Sequence, residues 1–173
     1  NGNKIITCGG GGALLTDSES IAKQAKHITT VAKVPHAWDF IHDQVGYNYR
    51  LPNINAAIGC AQMERLPIKL KDKRQLYLRY RSEFSNLSGC SLVSEPKNSR
   101  SNYWLNTIIL DKDQMHQRNA ILEATNHIGI MTRPVWQLMH ELPAFSDCPR
   151  MNLEVAELLS RQLINIPSSP GLV

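Results

Sequence analysis

The sequence predicts an α/β chain whose later part is a smaller α+β domain of helices and a mixed sheet. Three observations predict it. Short β-branched and apolar runs, such as Ile5-Ile6-Thr7 and Leu163-Ile164-Asn165-Ile166, are bounded by glycine or proline as strands are. Between them lie segments with apolar residues at helical spacing, several with their own start and stop signals. The chain also changes character at Ser88-Gly89: helical periodicity dominates before it, and strand runs alternate with shorter helices after it.

Residues 5–7 and 13–16 read as two short strands joined by the Gly9-Gly10-Gly11-Gly12 turn. Thr16-Asp17-Ser18-Glu19 reads as a capping box opening a helix to about Lys33, with Ile21, Ala22, Ala25 and Ile28 as its apolar stripe; Val34-Pro35 ends it. Residues 36–52 carry aromatics and histidines without a period and read as a loop. Pro52-Asn53 starts a helix whose Ala56, Ala57, Gly59 and Ala61 permit close backbone approach, and Pro67 is expected to interrupt or kink it. A long helix follows over about 68–87, with Leu70, Leu76, Tyr77, Tyr80 and Phe84 on one side. Strands are expected at 91–93, 103–110, 130–135 and 163–166. Helices are expected at 114–127, closed by Gly129, and at 155–162. The boundary is placed so that residues 1–66 form one part and 67–173 the other.

Composition narrows the function classes. Of 173 residues 42% are apolar, enough for a core, and 19 basic against 15 acidic residues leave a mild charge of +4. The basic residues crowd between Arg65 and Arg81, where Lys69 and Lys73, and Lys71 and Arg74, recur at helical spacing and read as a solvated helix face. No aromatic platform or DNA-binding motif accompanies them, so nucleic acid is not the expected partner. Cys8, Cys60, Cys90 and Cys148 are scattered, which argues against a zinc site or a disulfide scaffold and fits a reducing cytoplasm. No apolar run is long enough to span a membrane. His27, His36, His42 and His127 lack metal-ligand spacing and read as structural, so no metal site is expected. Glu123 and Glu141 have no partner carboxylate at glycosidase spacing, and no Gly-x-Ser-x-Gly elbow is present.

Two blocks carry chemistry. Lys4 stands between a polar turn and the run that stops at the four glycines. An amine desolvated at a strand end shifts toward its neutral, nucleophilic form and can condense with an aldehyde. The glycine run suits either a phosphate cradle of bare N–H groups or a turn needing positive φ. The second block, Gly46-Tyr47-Asn48-Tyr49-Arg50, lies downstream. Together, in this order and spacing, Lys4 with Thr7-Cys8 and Gly9 to Gly12, and then Gly46 to Arg50, resemble the DegT/DnrJ/StrS family of nucleotide-sugar aminotransferases, which use pyridoxal phosphate.

The resemblance implies the C-terminal part of a fold-type-I pyridoxal phosphate transferase, less than half of a family chain, with the Ser-Phe that precedes the lysine absent. It implies that residues 1–66 end the large cofactor-binding domain and 67–173 form the small one. Lys4 would be the catalytic and cofactor-holding lysine. Asn48 would reach the cofactor phosphate of a partner subunit, and Arg50 would recognise diphosphate or carboxylate beside it, so that a homodimer shares its sites. Tyr103-Trp104-Leu105 corresponds to a segment that contacts substrate, but Trp104 stands where many members have histidine, leaving stacking or core packing. Arg133 and His140 match a late segment of relatives acting on UDP-4-keto-6-deoxy sugars, closest to the legionaminic-acid and bacillosamine type; each reads equally as a surface arginine and a helix-end histidine. The implied reaction moves an amino group, with glutamate as donor, to the C4 ketone of a UDP-linked 4-keto-6-deoxy-N-acetylhexosamine in surface-polysaccharide sugar biosynthesis. Under the resemblance the basic stretch at 65–81 becomes a rim for an anionic nucleotide-sugar. Relatives that remove a sugar hydroxyl carry histidine at the lysine position, so Lys4 argues against a dehydratase. The remaining cofactor ligands are expected upstream, and residues 1–173 alone are expected to be inactive. The alternative is a non-catalytic interaction module that keeps only the ancestral fold.

Overall fold

A computed structural model describes residues 1–172 and divides into two compact units, Asn1–Leu66 and the remainder from Pro67. In the first unit, the strands expected at 5–7 and 13–16 do not form. An isolated run cannot satisfy its own N–H and C=O groups, and the unit's one ladder lies elsewhere. Helix α1 spans Glu19–Thr29, with Ser18 as N-cap accepting from the Ile21 N–H. It stops several residues short of Lys33. The Thr29 and Thr30 hydroxyls donate back to the Ala25 and Lys26 carbonyls, each at 2.7 Å. Val31 and Ala32 then take left-handed φ of 63° and 50°, which no helix continues through. Beyond that reversal β1 (Lys33–Val34) pairs antiparallel with β2 (Ile41–His42). The segment 36–52, expected to be irregular, therefore contributes one strand of a small ladder.

Helix α2 spans Asn53–Phe84, 32 residues, with Pro67 inside it. The expected interruption is absent, although Pro67 has no N–H to give the Met63 carbonyl. Gly59 answers the close approach expected of its small residues: a Cβ there would lie 3.0 Å from the Cys8 Sγ.

The second unit is built on a four-stranded antiparallel sheet in the order β3-β4-β6-β5, from β3 (Cys90–Leu92), β4 (Asn106–Leu110), β5 (Arg133–Pro134) and β6 (Leu163–Ile166). β6 forms over the residues expected. β4 starts three residues later than expected because Tyr103 has a φ of 46°, outside the strand region. The run expected at 130–135 pairs over two residues only, one of them a proline with no N–H for the ladder. Ile108 faces Ile164 across the β4–β6 register, and Thr107 donates to Asn165 Oδ1 at 2.8 Å. Ile108, Leu110, Ile164 and Ile166 form the core, with Tyr80 and Phe84 of α2, and Ile121 and Leu122 of α3 (Arg118–His127), packed on it. Gly129, at φ 84°, follows α3 and donates to the Asn126 carbonyl, the expected helix stop. Helix α4 (Glu154–Gln162) leads directly into β6.

Candidate functional site

The second sequence block is locked by its backbone. Tyr47 N–H donates to Ile28 O at 2.7 Å, Val31 N–H to Tyr47 O, and Tyr49 N–H to Thr29 O. Thr30 and Asn48 form an antiparallel bridge. Gly46 must be glycine here: a Cβ would lie 2.4 Å from the Val31 carbonyl carbon. The left-handed pair Val31-Ala32 is fastened in turn by His42 Nδ1 at 2.7 Å from Val31 O and by Ala32 N–H to His27 O. His27 also faces Asp43 at 2.7 Å. These contacts account for His27 and His42 as structural groups. Asn48 and Arg50 are left exposed on a fixed loop.

Two open clefts border that loop. One, of about 670 Å³, is lined by Gly10, Gly11, Gly12, Tyr49, Arg50 and Asn55 among others. Gly9 (φ 74°) and Gly11 (φ 136°) need glycine's conformational freedom, and a Cβ on Gly11 would sit 2.9 Å from Leu51 Cδ1. Asn55 Nδ2 clamps the run by donating to Cys8 O at 2.6 Å. The glycine stretch is thus a turn built for close approach, whatever it also holds. The other cleft, about 510 Å³, gathers Lys26, Lys33, His36 and Arg50, a positive concavity suited to an anion. Lys4 is exposed in a turn closed by its N–H to Asn1 O. The desolvated strand end expected for it is absent, because that strand is absent.

In the second unit Trp104 is half-buried and stacks on exposed Trp136, with ring centroids 5.9 Å apart and planes 22° apart. Arg133 is exposed, and its Nη1 donates to Asn126 Oδ1 and Thr132 O. His140 Nε2 lies 3.2 Å from Glu157 Oε1 of α4, so its ring is committed to a neighbour in the fold. It also lines an apolar hollow of about 290 Å³ with Met139, Phe145, Cys148 and Leu153.

The basic face of α2 is not uniformly solvated. Lys73 is buried, donating from Nζ to Trp104 O at 2.9 Å and to Ser168 O at 2.6 Å. Burial pushes its pKa down. Arg74 makes a two-pronged pair with Glu95, which also accepts from Ser101 N–H. That arginine, with the Ser101 N–H, holds the Glu95 carboxyl down at about 2. Tyr103 stacks on Tyr77 at 4.0 Å, and burial above all pushes its hydroxyl up to about 12. Its left-handed φ stores on the order of 1–3 kcal/mol that these neighbours must offset. Helical spacing alone made Lys73 and Arg74 look like solvent-facing charges. Their register with Leu70, Leu76 and Tyr77 on the buried stripe was the signal available. Trp136 was visible only as the last residue of the Thr132-Arg133-Pro134-Val135-Trp136 segment, with no role of its own.

A profile of the DegT/DnrJ/EryC1/StrS aminotransferase family matches residues 1–173. GDP-perosamine synthase of Vibrio cholerae is 34% identical over 172 residues, covering 99% of this chain and 46% of that protein. UDP-4-amino-4,6-dideoxy-N-acetyl-beta-L-altrosamine transaminase of Campylobacter jejuni (serotype O:2) is 28% identical over 128 residues, 73% of this chain and 34% of the relative. The fold is that of Helicobacter pylori PseC, an aminotransferase involved in pseudoaminic acid biosynthesis, at TM-score 0.80 and 18% identity over 91% of this chain and 43% of that one. The chain thus spans about half the length of the curated relatives it matches. No helix among the described residues is long and apolar enough to cross a membrane, and no cluster of potential metal ligands is found among them. With the lysine–glycine block, the locked Gly46–Arg50 loop and the antiparallel unit all in place, the chain belongs to the DegT/DnrJ/EryC1/StrS family of pyridoxal phosphate-dependent aminotransferases.

Proposed function

We propose that this chain supplies the cofactor lysine and part of the substrate surface of a cytoplasmic, homodimeric sugar aminotransferase, which moves an amino group from glutamate to the C4 ketone of a nucleotide-linked 4-keto-6-deoxy sugar. The observation that carries the reading is the pairing of an accessible amine, Lys4, with a loop whose backbone is fixed while Asn48 and Arg50 face outward. This donor set fits pyridoxal phosphate: a primary amine for its aldehyde and a neutral amide for its phosphate. When bound, the cofactor supplies an electron sink that this chain lacks. Lys4 Nζ would anchor that aldehyde and, when released, would take the proton from the α-carbon of the amino donor. Asn48 Nδ2 would donate to the phosphate of the neighbouring subunit's cofactor. The Arg50 fork pairs with a carboxylate or diphosphate, helped by Lys26 and Lys33 in the same cleft.

The nucleotide admits two readings. The late Thr132-Arg133-Pro134-Val135-Trp136 segment favours a UDP-linked N-acetylhexosamine. Similarity over nearly the whole chain to GDP-perosamine synthases favours a GDP-linked sugar. Residues 1–173 alone are inactive under this proposal, because the remaining cofactor ligands lie outside them. The test is a chimera in which this chain replaces the matching 46% of the Vibrio cholerae synthase. Glutamate-dependent amination of UDP- or GDP-linked keto-sugar, lost in Lys4→Arg, is expected, and the preferred nucleotide decides between the readings. Turnover by residues 1–173 alone contradicts the proposal, as does a folded, dimeric chimera that holds the cofactor and transfers nothing.

A further inference from the structure

Trp136 is 67% exposed although one side of its ring is stacked on Trp104. Its other side is therefore open, and the ring beneath it is carried on a tethered stretch of backbone. Trp104 is held from behind: its N–H donates to Asn102 Oδ1 and its carbonyl accepts from Lys73 Nζ. An ammonium buried on two carbonyls, in no ion pair among the described residues, is a costly way to hold a turn. The residue before Trp104 is a left-handed tyrosine stacked on Tyr77, with the Arg74 guanidinium 5.0 Å from its ring centroid. Plain core packing of Trp104 requires none of this. A strained residue and a buried charge that hold the backbone from which an indole stacks on an exposed, near-parallel indole are features of a preformed stacking surface.

We propose that Trp104 and Trp136 form a platform on which the base of the nucleotide-linked substrate stacks, with Lys73 as the positioning residue that fixes it. The inference rests on the nucleotide-sugar reading above and adds Trp136 and Lys73 to it. A planar base offers a π-face to the open side of Trp136, and stacking of this kind tolerates either base. Arg133, three residues before Trp136, is exposed and carries a charge suited to the phosphates that follow a base.

The test uses the full 173-residue chain, without cofactor, so that it fails separately from the role of Lys4. Trp38→Phe removes the only other tryptophan, and emission excited at the red edge is followed during titration with GDP, UDP, inorganic pyrophosphate and methyl glucoside. Saturable quenching by a nucleoside diphosphate is expected, with affinity falling about tenfold or more in Trp136→Ala and partly restored in Trp136→Phe. Lys73→Met, checked for retained far-UV dichroism, should weaken the exciton dichroism of the indole pair and the nucleotide affinity together. Should Lys73→Met not fold, the Trp136 variants decide alone. Quenching with undiminished affinity in Trp136→Ala, equal competition by pyrophosphate, quenching by the glucoside instead, or no response to either nucleotide overturns the proposal.

Discussion

The two units of this chain keep their order by different means. In the second, β4 alternates buried and half-buried residues, and an isoleucine-rich core sits under helices. In the first, Ala32 is the only fully buried residue among those described, while Leu15, Trp38, Phe40, Val45 and Ile54 are exposed. What holds the first unit is a set of backbone hydrogen bonds, a left-handed pair of residues and glycines that nothing else can replace. The family's lysine and its Gly-Tyr-Asn-x-Arg loop both lie there. Both motif blocks thus lie on the part with the smaller core of its own.

The largest break in that comparison is expected from Ile164→Ala, at zero exposure in the middle of β6. It should cost about 2–5 kcal/mol in denaturant unfolding of the second unit. Gly46→Ala should cost about 1–3 kcal/mol by forcing a Cβ against Val31. Hydrogen exchange should locate that loss at residues 27–32 and 46–50, leaving β4 and β6 as protected as before. Gly129→Ala should cost about 1 kcal/mol, since alanine must adopt φ 84° with open space around it. The smallest effect concerns pH. Glu95 ionises near 2 in the folded chain against an ordinary 4.5. Its contribution is therefore complete above about pH 4.5 and disappears as pH falls toward 2. Glu95→Gln should flatten the stability profile across that window while leaving the first unit's exchange untouched.

Much of the second unit was legible because its signals are local and redundant. The 163–166 run sits between a helix and a proline, and Gly129 stops α3 as a glycine does. The first unit was less legible. Ile5-Ile6-Thr7 looks like a strand, but a strand exists only with a ladder partner, and no short window reports one. Val31 and Ala32 carry no mark of a left-handed turn, since the strain is imposed by contacts with His27, His42 and Tyr47. Pro67 looks like a break and lies within a continuous helix. The candidate site residues rest on motif spacing, whereas Lys73 was misjudged because charge alone predicts exposure. Asn48 and Arg50 are where an outward-facing loop puts them, and His140 is held against Glu157.

The most direct measurement is peptide-mapped borohydride reduction of the purified chain after incubation with substoichiometric pyridoxal phosphate. The account predicts that the reduced cofactor mass falls on the peptide containing Lys4 and is lost in Lys4→Arg. Label distributed evenly over the chain's exposed lysines, with Lys4 no more reactive than Lys71 or Lys97, would contradict it.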